Sequence, residues 1–165
     1  MKLLIIGHGR HGKDTVAEIL RDNYGFSFIS SSYFAGEKVV RPALAACGIT
    51  YDSMEKCYED RANWRAFWYE AISAYNKGGR SRLAEEILVD YDMYVGMRSA
   101  RELEASLELF DHILWVDARG RAPLEPRSSF DIDFDRLRMH RVDNHKDLAA
   151  LKQEVARVVR YLGLA

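Results

Sequence analysis

The chain opens on an unbroken apolar run, Leu3-Leu4-Ile5-Ile6, and then switches to helical spacing in Thr15-Val16-Ala17-Glu18-Ile19-Leu20. Short apolar runs bounded by polar turns read as strands buried on both faces, and apolar positions recurring along one face read as amphipathic helices. This pattern predicts strands at about Lys2 to Ile6, Phe26 to Ser30, Met93 to Val95, His112 to Val116 and Met139 to Val142. Helices are predicted from about Gly12 to Asn23, ending at Tyr24-Gly25, and from near Ser32 with a break at Pro42. Others are predicted from Tyr58 to Tyr75, Ser81 to Val89, Ser99 to Leu109 and Lys146 to Leu162, with Lys77-Gly78-Gly79 separating the first two. Such alternation predicts an α/β fold, a three-layer αβα sandwich around a mostly parallel five-stranded sheet. With no repeat, low-complexity tract or linker, residues 1–165 read as one domain.

Composition narrows the class. The chain is 48% hydrophobic and 30% charged, as an ordinary globular domain is. A net charge of −1 gives no global attraction to nucleic acid, so a DNA partner would need a local patch. Cys47 and Cys57 form neither a disulfide framework nor a zinc pattern, and read as buried apolar fillers in a reducing cytosol. No apolar run approaches the roughly 18 residues of a membrane span. A strand starting at Lys2 leaves no room for a signal peptide, so a cytoplasmic protein without a membrane partner is expected.

The densest chemistry lies directly after the first strand, in Gly7-His8-Gly9-Arg10-His11-Gly12-Lys13-Asp14-Thr15. A strand, a glycine-rich turn and a helix place backbone N–H groups and a positive helix end around an anion. Gly7, Gly12 and Lys13 fit the G-x-x-x-x-G-K spacing of a phosphate-binding loop, with Lys13 reaching the β- and γ-phosphates of a nucleotide. Asp14 stands where a Ser or Thr usually ligates Mg²⁺, and the hydroxyl follows at Thr15. His8 and His11 lack a third ligand nearby, so contact with phosphate or substrate is expected of them rather than metal binding.

Ligands of such sheets sit beyond the carboxyl ends of the strands. Ser30-Ser31-Ser32, Gly96-Met97-Arg98 and Asp117-Ala118-Arg119 are therefore expected to face the loop, and Asp90 and Asp92 to be solvated at the opposite edge. Arg61 and Arg65 share a predicted helix face with Trp64 and Trp68 interleaved, which suits an anion clamp with aromatic platforms or a solvated stripe beside core aromatics. Arg119, Arg121 and Arg127 lie in a long irregular stretch, about 119–135, from which arginines can close over phosphates. Tyr33 is a further stacking candidate for a flipped or single-stranded base.

With these residues in view, the strings GHGRHGKDT, SSSYFAGEKVV, DRANWRAFWYEAISAYN, DMYVGMRSARELEA, FDHILWVDARGRAP and RVDNHKDLAAL together resemble the phage-type P-loop deoxynucleoside monophosphate kinases, relatives of thymidylate kinase. More narrowly, they resemble phage kinases that phosphorylate 5-hydroxymethyl-deoxyuridine within DNA. The resemblance implies a kinase using ATP and Mg²⁺ in a cell's cytoplasm, that of an infected host if the chain is phage-encoded. The implied partner is DNA carrying a modified thymidine or, alternatively, a small deoxynucleotide, and a homodimer is allowed.

The loop from Gly7 to Thr15 matches the family's ATP loop, with Lys13 and Asp14 as catalytic candidates and Asp14 and Thr15 as metal ligands. Arg98 and Glu102 match an Asp-Val-Arg motif followed four residues later by Glu, in which Gly96 takes the acidic place. Arg121 and Arg127 are expected to act on the transferred phosphate, Arg119 to bind nucleotide, and Ser31, Ser32, Tyr33, Arg61, Arg65 and Trp68 to bind the acceptor. A nucleotide-binding module without transfer activity is the reading of another class, because the usual metal ligands are displaced.

Overall fold

The computed structural model describes residues 1–77, 79–135 and 138–164, so Gly78 of the predicted interhelical break lies outside the described residues. Four strands, β1 (Leu3–Ile6), β2 (Met93–Val95), β3 (His112–Asp117) and β4 (His140–Asp143), form one sheet in the order β2-β1-β3-β4. Every pairing is parallel, with Leu3 opposite Met93 and His112, and Leu114 opposite His140. Parallel strands need crossovers, and helices supply them.

β1 is buried on both faces because helices cover both. Leu3 and Ile5 pack with Val16, Ala17 and Leu20 of α1 (Lys13–Tyr24) and Val155, Val158 and Val159 of α8 (Leu148–Leu162). Leu4 and Ile6 pack with Leu83 and Ile87 of α6 (Arg82–Asp90) and Leu103 of α7 (Ala100–Ser106). The layering is the αβα sandwich expected from the alternation of periods. No helix among the described residues is long and apolar enough to cross a membrane.

The fifth strand, predicted over Phe26 to Ser30, does not form; Phe28 makes a single parallel bridge to Met93 at the sheet edge. Side-chain bonds replace the ladder there. The Asp92 carboxylate accepts the Ser27 N–H at 2.8 Å and the Ser27 hydroxyl at 2.7 Å, and Ser30 caps the next helix by accepting the Tyr33 N–H. Asp92 is therefore a clasp at the amino edge of the sheet rather than a freely solvated group. Burial would raise its carboxyl, but the Ser27 bonds outweigh it and hold the group below its ordinary value.

Between Phe28 and α6 the chain builds a helical annex. Its first rod comprises α2 (Ser31–Ala35), a π-helical turn (Gly36–Val40) and α3 (Arg41–Ala46), with Pro42 in the first turn of α3, two residues after the π turn ends. The missing proline donor accounts for the interruption expected there. The long helix predicted over Tyr58 to Tyr75 is divided into α4 (Met54–Glu59), a 3₁₀ turn (Asp60–Ala62) and α5 (Arg65–Tyr75). Asp60 organises the division, accepting from Asn63 Nδ2 at 2.6 Å and Trp64 Nε1 at 3.0 Å. Val40, Leu44, Met54, Cys57 and Trp68 form the annex core. Cys57 is a buried filler as expected, but Cys47 is exposed at the end of α3.

At the carboxyl edge, the fully buried Asp117 accepts the Arg119 guanidinium at 2.8 Å and that of Arg141 at 3.1 Å. Burial pushes its carboxyl up, and the Arg119 hydrogen bonds and the two positive charges pull it further down, to a net value below the ordinary one. A depressed carboxyl contributes stability above its unfolded value of about 3.9, and the contribution disappears as pH falls towards the folded value.

Two stability outcomes follow. A Cβ on Gly36 would lie 2.3 Å from Met54 Cε and 2.5 Å from Trp68 Cη2. Gly36→Ala should therefore lower urea-unfolding stability by about 1–3 kcal/mol through overpacking, despite a helix-propensity gain of about 1 kcal/mol; unchanged or raised stability contradicts this packing. Asp117→Asn should cost about 1–2 kcal/mol at pH 7, less than a fully buried pair because both arginines are half exposed. The gap from wild type should narrow as pH is lowered from about 4 towards 2, and a gap independent of pH removes the ion-pair account.

Candidate functional site

Because all four strands run the same way, the turns after β1, β2, β3 and β4 meet at one edge. Two contacts at this edge require glycine in the first turn. A Cβ on Gly7 would lie 2.5 Å from the Val116 carbonyl oxygen, and one on Gly12, whose φ is 92°, would lie 2.4 Å from Asn144 Nδ2. Asn144 is buried and donates to the His11 carbonyl at 2.9 Å, so the turn after β4 clamps the loop after β1. Arg10, with φ 64°, is a non-glycine residue in the left-handed region.

Gly12 caps α1 without a side-chain hydrogen bond, which leaves the first-turn N–H groups of a twelve-residue helix open. Lys13 extends from that turn and donates to the His8 carbonyl at 2.8 Å. Burial and the Arg98 charge lower its ammonium below the usual lysine range, while Asp14 and Glu125 work in the opposite direction. Arg98, beyond β2, pairs with Glu125 from the segment after β3. Glu125 also accepts the Gly9 N–H at 2.7 Å. Loop N–H, lysine and arginine thus converge on one anion position.

A cleft of about 670 Å³ opens from this position. Gly7, Gly9, Arg10, Lys13, Asp14, Ser31, Ser32 and Arg98 line it, as does Tyr58, whose hydroxyl lies 3.1 Å from Ser32 Oγ. The cleft continues past Glu18 and Arg21 of α1 to Phe28, over whose ring the Arg21 guanidinium sits at 5.6 Å.

Asp14 is exposed in the cleft, and among the described residues none hydrogen-bonds or ion-pairs with its carboxylate. An unengaged carboxylate beside the loop lysine, with the Thr15 hydroxyl one residue on, is a donor set that fits a hard divalent cation. Gly96, where the motif it resembles carries an acid, has φ 94°, and a Cβ there would be 3.9 Å from Lys13 Cε. The place faces the lysine, but no carboxylate is there and the backbone resists one. Asp117, Asp143 and His145 also converge within 4.8 Å, but Arg119 and Arg141 already neutralise that group.

Other expected site residues lie elsewhere. His8 and His11 are buried and do not line the cleft. His11 Nδ1 accepts the Ala118 N–H and His8 Nδ1 accepts the Glu125 N–H, both at 3.0 Å, so these rings tie the loop to the segment after β3. Burial, then His11, hold the His8 imidazole below its ordinary value, in keeping with a neutral acceptor nitrogen.

The arginines of the long stretch do not line the cleft in this conformation. Arg119 is bound to Asp117, Arg121 donates to the Lys146 carbonyl at 3.3 Å, and Arg127 borders a separate pocket of about 210 Å³. Arg61 and Arg65 do not share a straight helix face, because Arg61 lies in the 3₁₀ turn and Arg65 begins α5. The Arg61 guanidinium covers the Tyr58 ring at 3.9 Å, outside the cleft lining. Trp68 is buried in the annex core, and Tyr33 directs its hydroxyl to Glu55 at 2.8 Å. Neither ring is a free platform.

Sequence reasoning missed Glu125, Asn144 and Tyr58. Asn144 had a signal in its place directly after the last predicted strand; Glu125 and Tyr58 had none, since an irregular stretch and a broken helix position them.

No protein-family model and no curated protein sequence matches the chain. Among solved structures, an unliganded sugar kinase from Janibacter sp. HTCC2649 aligns over 99% of this chain and 95% of its own, at 15% identity and a TM-score of 0.51. A gluconokinase from Sinorhizobium meliloti 1021 aligns over 98% of this chain and 95% of its own, at 16% identity and a TM-score of 0.45. The first likeness is one of architecture: the α/β fold with its parallel sheet is shared with a solved kinase.

Proposed function

We propose that the chain is a P-loop phosphotransferase that moves the γ-phosphate of ATP to the 5-hydroxymethyl group of 5-hydroxymethyl-deoxyuridine in DNA. The observation that carries the transferase reading is the convergence of the Gly9 N–H, Lys13 and Arg98 on one anion position at the open end of α1. Oriented N–H groups and two cations supply what phosphoryl transfer asks of a protein, which is positioning and neutralisation of spreading charge.

In this reading the loop N–H groups and Lys13 hold the β- and γ-phosphate oxygens. Asp14 and Thr15 would hold Mg²⁺, which when bound neutralises charge on those oxygens. Arg98, joined to the loop through Glu125, lines the same cleft and would stabilise the transferred group. The acceptor oxygen approaches from the side of Ser31, Ser32 and Tyr58, where hydroxyls can orient it. Two supports favour a polymeric acceptor: the sequence resemblance, and a cleft that continues along α1 to the Arg21–Phe28 pair instead of ending in a closed pocket. A free deoxynucleoside monophosphate is the alternative acceptor for the same machinery.

The test is transfer from γ-labelled ATP with Mg²⁺ to duplex DNA containing 5-hydroxymethyl-deoxyuridine, to ordinary DNA and to free deoxynucleoside monophosphates, with mass analysis of digested products. Label on the modified base alone is expected. Label on a monophosphate moves the chain to nucleotide metabolism, and nucleotide binding without label assigns a sensor. Lys13→Met and Asp14→Asn should each reduce transfer by about a hundredfold or more, the scale of losing one charge-stabilising group. An Asp14→Asn protein with full activity and unaltered Mg²⁺ dependence would end the role given to that carboxylate.

A further inference from the structure

The anion position of the loop is filled by the protein's own carboxylate. Glu125 accepts the Gly9 N–H through one oxygen at 2.7 Å and pairs with Arg98 through the other. Its Cδ would be 3.4 Å from a Cβ on Gly9, so the carboxylate lies against the loop backbone, and its charge acts on Lys13. A carboxylate held by a loop N–H and a guanidinium, with the half-buried Lys13 ammonium acting on it, satisfies the same donors as a terminal phosphate. Two anions cannot share them.

The attachment of this stretch is light. The Glu125 N–H donates to His8, and the Pro123 carbonyl lies 3.3 Å from His11 Nε2, so both anchors belong to the loop being covered. Pro123, Leu124, Pro126, Arg127 and Ser128 are exposed, and little apolar surface is stripped when they lift. Phe130 and Ile132 are buried and fix the chain just beyond, giving the movement a firm end.

We propose that Glu125 is a built-in anion plug: it occupies the phosphate position of the nucleotide-free loop and leaves it when a triphosphate binds, freeing Arg98 for the incoming phosphate. This rests on the nucleotide-binding reading above and adds a regulatory step to the same site. Apparent nucleotide affinity then includes the displacement of Glu125, so the protein binds more weakly than its loop alone would.

Calorimetric titration of wild type, Glu125→Gln and Glu125→Ala with ATP and with inorganic tripolyphosphate tests this. Both variants should bind both ligands on the order of tenfold more tightly than wild type, the scale of removing one charge-assisted contact. The gain with tripolyphosphate, which has neither base nor sugar, locates the effect at the phosphate position. Equal or weaker binding by both variants, with wild type still binding ATP, overturns the plug and leaves the nucleotide site standing. If no protein binds either ligand while circular dichroism shows all three folded, the nucleotide reading falls and the plug with it.

Discussion

A half-buried lysine beside an uncapped helix end is a concentration of positive potential that the fold must answer, and the surroundings of Lys13 are arranged around it. Burial alone disfavours the ammonium, and Arg98 adds to that penalty. What offsets them is negative: Asp14 on the helix, Glu125 from the segment after β3, and the His8 carbonyl that accepts a hydrogen bond from the lysine. A site so organised is preorganised for an anion, because its loop is fixed by the close approach of Gly7 to the Val116 carbonyl and by the buried Asn144 side chain against Gly12.

Those contacts exist because the sheet is parallel. Register places Ile6 beside Trp115, so the turns leaving β1 and β3 come within van der Waals distance and a side chain on Gly7 would strike the Val116 carbonyl. The turn leaving β4 reaches back through Asn144 in the same way. Sheet, loop and clamp form one mechanical unit, and the helical annex brings Ser31, Ser32 and Tyr58 to its open side. The fold shared with a solved kinase is consistent with such a unit, while the chemistry read from it comes from these residues.

The layered architecture and the strand, glycine-rich turn and helix around Lys13 were legible in the sequence because both rest on local signals: apolar runs of strand length, helical spacing, and glycines spaced around a lysine. The edge segment Phe26 to Ser30 misled because its pattern is strand-like while its hydrogen bonds go to Asp92 and to a helix cap. Trp68 misled in the opposite direction, since spacing beside arginines suggested an exposed platform and packing against Gly36 buried it. His8 and His11 are polar residues in a polar loop, and nothing local signals that they serve the segment after β3 rather than a ligand. Glu125 was illegible for the same reason: its partners, Gly9 and Arg98, are 116 and 27 residues away.

Phosphoryl transfer by this chain requires the loop after β1 to receive nucleotide phosphate at the position where Gly9, Lys13 and Arg98 converge. A crystal structure with a non-hydrolysable ATP analogue and Mg²⁺ tests it most directly. Phosphate oxygens are expected on the Gly9 and Lys13 backbone N–H groups, with the Lys13 ammonium moved from the His8 carbonyl onto phosphate and Glu125 withdrawn. An analogue bound elsewhere, with the Glu125 contact to Gly9 intact, would contradict it.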